Sequence, residues 1–157
     1  MTYADLVRLV DQYRLGIEAQ LRLLGQLESI AARQRDVTVA RNFEAFGAEA
    51  DERDNLTRSL VTLEEHLRPL RRQLTEHRRD AELVPGFARV AERHRQASEL
   101  VTRILTTDHD SFRALADADL ARRAALSGLE QGEMTLAAYR KVLAPSIAHP
   151  ALVDERG

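Results

Sequence analysis

The first part of the chain carries an apolar stripe with the spacing of an α-helix. Apolar residues recur at alternating intervals of three and four, with one polar member, Gln20. The positions of this seam are Tyr3, Leu6, Val10, Tyr13, Ile17, Gln20, Leu24, Leu27 and Ala31. Thr2 and Asp5 have the spacing of a capping box, so the pattern predicts a helix over residues 3–35, roughly 50 Å long at 1.5 Å per residue.

A second helix is predicted over residues 43–80, after a segment that weakens the helical pattern. Residues 36–42 place three β-branched side chains between two good N-cap residues, which predicts a turn or kink. The helix that follows carries leucines at successive seam positions: Leu56, Leu60, Leu63, Leu67, Leu70 and Leu74. Pro69 lies inside this ladder and removes one backbone hydrogen bond, so we expect the helix to kink there or to divide into two.

The sequence around Pro85 and Gly86 predicts a chain reversal, because proline disfavours helix at the residue before it and glycine has a freer backbone. A third helical stretch follows over residues 87–143. The first half of its seam is mostly apolar: Phe87, Val90, His94, Ala97, Val101 and Ile104. Residues 106–110 (TTDHD) are an alternative start for a fourth helix.

The second half of this stretch has a less apolar seam. One heptad column holds small residues: Ser111, Ala118, Ala125 and Gly132. The other column holds Asp108, Leu115, Arg122, Leu129, Leu136 and Leu143. Because Asp108 and Arg122 are costly to bury alone, we expect a shallow, partly polar groove here, packed less firmly than the segment from Leu56 to Leu74.

Together these patterns predict an all-α protein. We expect an elongated antiparallel helical hairpin or bundle of three or four long helices with coiled-coil-like seams, forming one domain over residues 1–143. Residues 144–157 contain two prolines as well as Ile147, Leu152 and Val153, and we expect a flexible tail there.

Composition and charge make several classes of protein improbable. The chain has seven glycines, four prolines and no cysteine, which favours helix and excludes disulfides and thiol nucleophiles. Its 23 Lys and Arg residues are matched by 25 Asp and Glu residues, so no basic field exists to hold nucleic acid. Neither a signal peptide nor an apolar run long enough to span a bilayer is present. We therefore expect a cytoplasmic protein with no nucleic-acid partner and no membrane insertion.

The sequence offers little catalytic chemistry. It lacks the Glu-x-x-His pairs of di-iron bundles, and its five histidines include no pair three or four residues apart. It also lacks a Gly-x-Ser-x-Gly motif and a glycine-rich phosphate loop. We therefore expect no enzymatic activity, no metal and no cofactor, and a helical-bundle metal enzyme is the least favoured alternative.

Two further features are interpreted as structural. His94 is the only histidine on an apolar seam, and a partly buried position with one ring nitrogen hydrogen-bonded is its simplest interpretation. The basic residues of segment 68–79 are interrupted by Glu76 and followed by Asp80 and Glu82, so we interpret this stretch as a solvated face.

Four segments carry a family resemblance. Residues 42–56 (NFEAFGAEADERDNL) form a short break before the leucine-rich helix, and residues 104–115 (ILTTDHDSFRAL) form an acidic, polar patch on the last long helix. Residues 129–140 (LEQGEMTLAAYR) place a glycine and then Tyr-Arg near its end, and residues 150–157 (PALVDERG) form a short apolar and charged tail. This pattern resembles the flagellar export chaperones of the FlgN and FliT type, from which Pro69 and its basic surroundings depart.

The resemblance implies a cytoplasmic chaperone that binds the amphipathic C-terminal helices of late flagellar axial subunits, such as hook-filament junction or cap proteins. It would keep them unassembled and deliver them to the type III export apparatus. A homodimeric coiled-coil scaffold without cargo is the alternative. On the chaperone interpretation, the groove of the last helix and the tail bind the partner through Leu115, Ala118, Ala125, Leu126, Leu129, Gly132, Leu136, Tyr139, Leu152 and Val153.

Overall fold

The chain folds into helices alone over the residues that the structure describes. This computed structural model describes residues 1–116 and 123–143. Its helices are α1 (Tyr3–Val39), α2 (Phe43–Ala48), α3 (Ala50–Glu76), α4 (Arg78–Ala81), α5 (Phe87–Ala116) and α6 (Arg123–Leu143). The predicted all-α bundle is confirmed. None of these helices is long and apolar enough to cross a membrane.

The helix α1 has the predicted start and a later end. The Thr2 hydroxyl accepts a hydrogen bond from the Asp5 backbone at 3.1 Å, and the Asp5 carboxylate accepts one from the Thr2 backbone at 3.0 Å. This capping box opens a helix of 37 residues, about 55 Å long at 1.5 Å per residue. α1 passes its predicted end at residue 35 and reaches Val39. A turn with Arg41 at φ 60° then leads to Asn42, whose side chain caps α2.

The predicted second helix is divided into α2, α3 and α4. α3 continues without a break through Pro69, so the expected division at this proline is wrong. Pro69 is exposed, and solvent can therefore hydrogen-bond the carbonyl group that the proline leaves without a donor. The division falls instead at His77, which has φ −110° and ψ 29°.

The predicted chain reversal is confirmed at the start of α5. Gly86 has φ 97°, in the left-handed region that glycine adopts without strain. Val84 and Phe87 on either side are buried and fix the turn to the core. The predicted third helix is described as α5 and α6, which residues 117–122 separate. α5 continues through residues 106–110, so the alternative helix start there is wrong. Those six residues and the predicted tail 144–157 lie outside the described residues.

The helices α1 and α3 lie antiparallel. Tyr13, early in α1, accepts a hydrogen bond from Arg71, late in α3. Gln34, late in α1, accepts one from Arg53, early in α3. Between them Gly16 allows close approach, because a Cβ atom there would lie 2.1 Å from Leu67.

The helix α5 runs parallel to α1, and α6 returns antiparallel to α5. His94 of α5 meets Tyr13, and Arg103 pairs with Glu28 farther along α1. Leu115, near the end of α5, clusters with Leu129, near the start of α6. The four long helices therefore form an up-down-up-down bundle. α1 and α5 have the most extensive contact, whereas α3 and α6 scarcely touch.

Two hydrophobic clusters fill the bundle. The main cluster runs along α1, α3 and α5 and includes Leu136, Tyr139 and Leu143 of α6. The smaller cluster closes the end where α2 meets the α5/α6 pair. Its buried members are Phe46, Leu115 and Leu129, and its partly buried neighbours are Val37, Phe43, Phe112, Ala125 and Leu126.

The helix α3 buries a different stripe from the predicted one. Alternate leucines of the ladder are buried, namely Leu60, Leu67 and Leu74, and the rest are half-buried, namely Leu56, Leu63 and Leu70. Arg53, Glu64 and Arg71 are buried in place of the second leucine column. α3 is rotated in this way because these charged side chains meet hydrogen-bonding partners inside the bundle.

Candidate partner-binding groove

A cleft opens between α3 and α6, the two long helices that scarcely touch. It extends from Thr57 to Arg68 along α3 and from Met134 to Val142 along α6. Its volume is about 410 Å³. The α3 wall is about 16 Å long at 1.5 Å per residue, which corresponds to three helical turns. We call this space the apolar cleft.

The walls of the apolar cleft are mostly hydrophobic. Leu60 and Leu136 form its floor and are almost fully buried. Val61 and Met134 stand on its rim with 44% and 72% of their surface exposed. Exposed large apolar residues on both sides of an apolar floor are typical of a surface that binds another molecule.

Behind the cleft, five polar side chains form one hydrogen-bonded layer. Arg71 donates to both carboxylate oxygens of Glu64, with Nη2 lying 2.8 Å from Oε2. The Arg71 Nε donates to the Tyr13 hydroxyl at 2.9 Å. The Gln20 amide donates to Glu64 at 3.1 Å. The Tyr13 hydroxyl bonds to Nε2 of His94, and the two rings stack with their centroids 5.1 Å apart.

Burial keeps His94 neutral in this layer. The Tyr13 hydroxyl and Nε2 of His94 share one hydrogen bond, and Nδ1 of His94 is buried without a hydrogen-bond partner among the described residues. Burial, together with the nearby Arg71 charge, lowers the pKa of His94 to about 3. Burial also raises the pKa of Tyr13. Both rings are therefore neutral near pH 7.

Arg71 keeps its charge in spite of its position in the core. Burial lowers the pKa of Arg71, but its hydrogen bond to Glu64 and the nearby tyrosine and carboxylate outweigh that effect and leave the pKa raised. The ion pair is therefore intact, and Glu64 is engaged as an acceptor of three hydrogen bonds. A carboxylate held in this way has little capacity to act as a general base.

Tyr139 of α6 borders the same layer. Its ring lines the apolar cleft, and its hydroxyl is buried without a hydrogen-bond partner among the described residues. Burial raises the pKa of Tyr139, with Glu64 contributing, so the phenol stays neutral.

A second polar layer crosses the bundle nearer the smaller cluster. Arg53 donates through Nη1 to Asp108 and to Gln34, both at 2.8 Å, and through Nη2 to the other oxygen of Asp108. Gln34 then donates to the backbone carbonyl of Phe46 at 3.3 Å. Asp108 is therefore not buried alone, and the cost on which the expected polar groove rested is compensated at this residue. Arg122, the other polar residue of that column, lies outside the described residues.

The described residues offer apolar surface rather than reactive groups. Both buried carboxylates are held by arginines, and the described residues contain no group of three or more metal-ligating side chains. The feature of this face that remains available to a partner is therefore the apolar cleft.

Part of the predicted partner-binding set lies at the cleft. Leu136 and Tyr139 line it. Gly132 lies just beyond its edge, where a Cβ atom would be 3.5 Å from the Arg53 guanidinium. Ala118, Leu152 and Val153 lie outside the described residues.

The rest of the predicted set faces the interior. Leu115 and Leu129 are buried in the smaller cluster with Phe46. Ala125 and Leu126 are half-buried beside them. These four residues therefore pack against the chain's own helices, and their part in partner binding stays a prediction.

The sequence did not predict the rim residues of the cleft or the hydrogen-bonded layer behind it. Val61 and Met134 fall outside the predicted seams, and nothing in their local spacing distinguishes them. Glu64 and Arg71 did carry a signal, because opposite charges seven residues apart lie on one face of a helix. Arg71 was assigned to the solvated basic face, and that assignment is wrong for it, whereas Arg68 is exposed as expected.

No protein-family model, curated protein or solved structure matches the chain.

Proposed function

We propose that this protein is a flagellar export chaperone that binds an amphipathic C-terminal helix of a late axial subunit, such as a hook-filament junction or cap protein. The observation that carries the proposal is the apolar cleft, in which exposed Val61 and Met134 flank a floor of buried leucines. The chaperone would keep that helix from assembling early and deliver it to the type III export apparatus.

The shape of the cleft favours a helix as its occupant. Two helices running in the same direction form its walls, and their separation leaves a channel about three turns long. An amphipathic helix buries its apolar face in such a channel through residues spaced three and four apart. A cargo segment that is disordered before assembly would gain its order on binding there.

The sequence resemblance supplies the identity of the cargo in this proposal. The segments that carry it include residues 129–140, whose second half lines the apolar cleft. The proposed site keeps Leu136 and Tyr139 from the sequence-based set and adds Val61 and Met134. The competing proposal is a homodimeric scaffold in which a second copy of this chain covers the same cleft.

The first prediction tests the cleft with the substitution Met134→Glu. A carboxylate on the apolar rim would have to be desolvated under the bound helix, so we expect affinity to fall by about tenfold or more. The measurement is fluorescence anisotropy with labelled C-terminal fragments of the axial subunits encoded in the same genome, titrated with the full chain.

The matched control is Leu83→Glu. Leu83 is 77% exposed, close to the 72% of Met134, but it lies in the turn before α5 and outside the cleft. We expect this control to bind like the parent protein. Equal binding by Met134→Glu would exclude the cleft as the site. If no axial fragment binds the parent and sedimentation shows a dimer that Met134→Glu dissociates, the scaffold replaces the chaperone.

A further inference from the structure

The apolar cleft continues into a second space along the same two helices. This space has a volume of about 250 Å³ and shares Thr57 and Thr135 with the apolar cleft. It extends to Asp54 on α3 and to Gly128 on α6. We call it the polar cleft, and the two together the α3/α6 groove. From Asp54 to Arg68 the groove is about 21 Å long at 1.5 Å per residue, or four helical turns.

The charges of the polar cleft are already balanced. Arg53, on its floor, is bound on two nitrogens by the Asp108 carboxylate. Asp54 and Arg58 on its rim carry opposite charges. A charged group entering the polar cleft would therefore lose its water without meeting a net opposite charge.

The remaining polar groups of the polar cleft favour uncharged hydrogen-bond donors. The Thr57 hydroxyl donates to the Arg53 carbonyl, and the Thr135 hydroxyl donates to the Gln131 carbonyl, both at 3.0 Å. Since each hydroxyl has one proton, what these threonines can offer a bound molecule is an acceptor oxygen. The Gln131 side chain in the same cleft has both donor and acceptor groups.

We infer that the partner helix has two parts: large apolar residues over Val61 and Met134, and uncharged donors such as Ser, Thr, Asn or Gln over Thr57, Gln131 and Thr135. The two parts are separated by about one turn, the distance from Val61 back to Thr57. This inference rests on the proposed function, and it adds the chemistry of the cargo segment. A helix that is apolar along its whole length would leave the polar cleft unsatisfied.

The test is the double substitution Thr57→Val with Thr135→Val. Valine keeps the shape of threonine but removes the acceptor oxygens, and the lost hydroxyl bonds are only those to the preceding turn of the same helix. We expect an axial fragment that binds the parent protein to bind this variant about fivefold to tenfold more weakly. Thermal unfolding should be nearly unchanged.

Thr75→Val is the matched control. Thr75 lies on the same helix as Thr57 and donates to the carbonyl four residues earlier, at 2.9 Å, but it lies beyond the groove. This control should bind like the parent. If the parent binds a fragment and the double variant binds it equally well, the two-part cargo is overturned and the proposed function stands. If the parent binds no axial fragment, both are overturned.

Discussion

The neutral state of buried His94 makes the stability of the bundle depend on pH. Its pKa is about 3 in the folded protein and about 6.5 in an unfolded chain, so the unfolded state takes up the proton first as pH falls. The stabilisation is complete above the unfolded pKa and is lost progressively as the pH falls toward the folded pKa. We expect the free energy of unfolding to be about 2 kcal/mol lower at pH 5 than at pH 7.

Urea unfolding of the parent and of His94→Gln at pH 7, 6 and 5 measures this effect. Carboxyl groups in unfolded chains titrate near pH 4, so this window reports mainly on histidine. The variant is expected to be less stable at pH 7 but to lose little further stability by pH 5. If the free energy of unfolding of the variant falls as steeply with pH in this range as that of the parent, His94 is not neutral and buried.

The Arg53–Asp108 pair is expected to show a strong asymmetry between single and double substitution. Both side chains are almost fully buried, at 7% and 1% exposure, so Asp108→Leu leaves a guanidinium charge in the core. We expect a loss of about 3 to 5 kcal/mol from that single change. Arg53→Met with Asp108→Leu removes both charges and should recover most of the loss.

Chemical denaturation of the two single variants and the double variant measures this coupling. Arg53→Met alone is the second arm, because it leaves the Asp108 carboxylate buried without its counter-charge. If the double variant loses the sum of the two single effects, the charges do not compensate each other in the folded state.

The α-helices differ in how many long neighbours they pack against. α1 contacts both α3 and α5, and α5 contacts both α1 and α6, whereas α3 and α6 each rest mainly on one long helix. We therefore expect the amides of α1 and α5 to exchange with solvent about tenfold or more slowly than those of α3 and α6. Hydrogen exchange followed by mass spectrometry resolves the four helices.

This ordering differs from the one that the sequence suggested. The leucine ladder predicts that α3 is firmer than the segment from Asp108 to Leu143, but α3 lacks a close partner on its α6 side, and Asp108 is paired. Equal protection of α6 and α5 would contradict the present expectation and indicate that the α3/α6 groove is already covered.

Features set by neighbouring residues were predicted well at the scale of the element. The capping box at Thr2 and Asp5, the reversal at Gly86 and the seams of α1 and α5 depend on local spacing, which one sequence contains. Tyr3 is the exception in the α1 seam, because it is 60% exposed at the start of the helix. The continuity of α3 through Pro69 and its rotation away from the leucine ladder depend on solvent exposure and on ion pairs with residues far along the chain. Local helix propensity contains no information about solvent exposure or about ion pairs with distant residues.

At the scale of the molecule, the site was only partly predictable for the same reason. Leu136 belongs to one heptad column and Tyr139 continues the other, seven residues after Gly132, and the structure brings both to the apolar cleft. Val61 and Met134 matter because α3 and α6 scarcely touch and leave a cleft beside them, which is a property of the assembled bundle. The cleft depends on how α6 lies relative to α3, and the local sequence pattern does not contain that information.

The parallel pairing of α1 with α5 also has a consequence for the order in which the protein is made. Tyr13 and His94 lie 81 residues apart, and the loop between them must close before the most extensive helix contact forms. At synthesis rates of about 5 to 20 residues per second, His94 is synthesised roughly 4 to 16 s after Tyr13. During that interval only α3 and the short helices α2 and α4 can cover α1, and the nascent chain leaves the α5-binding face of α1 exposed.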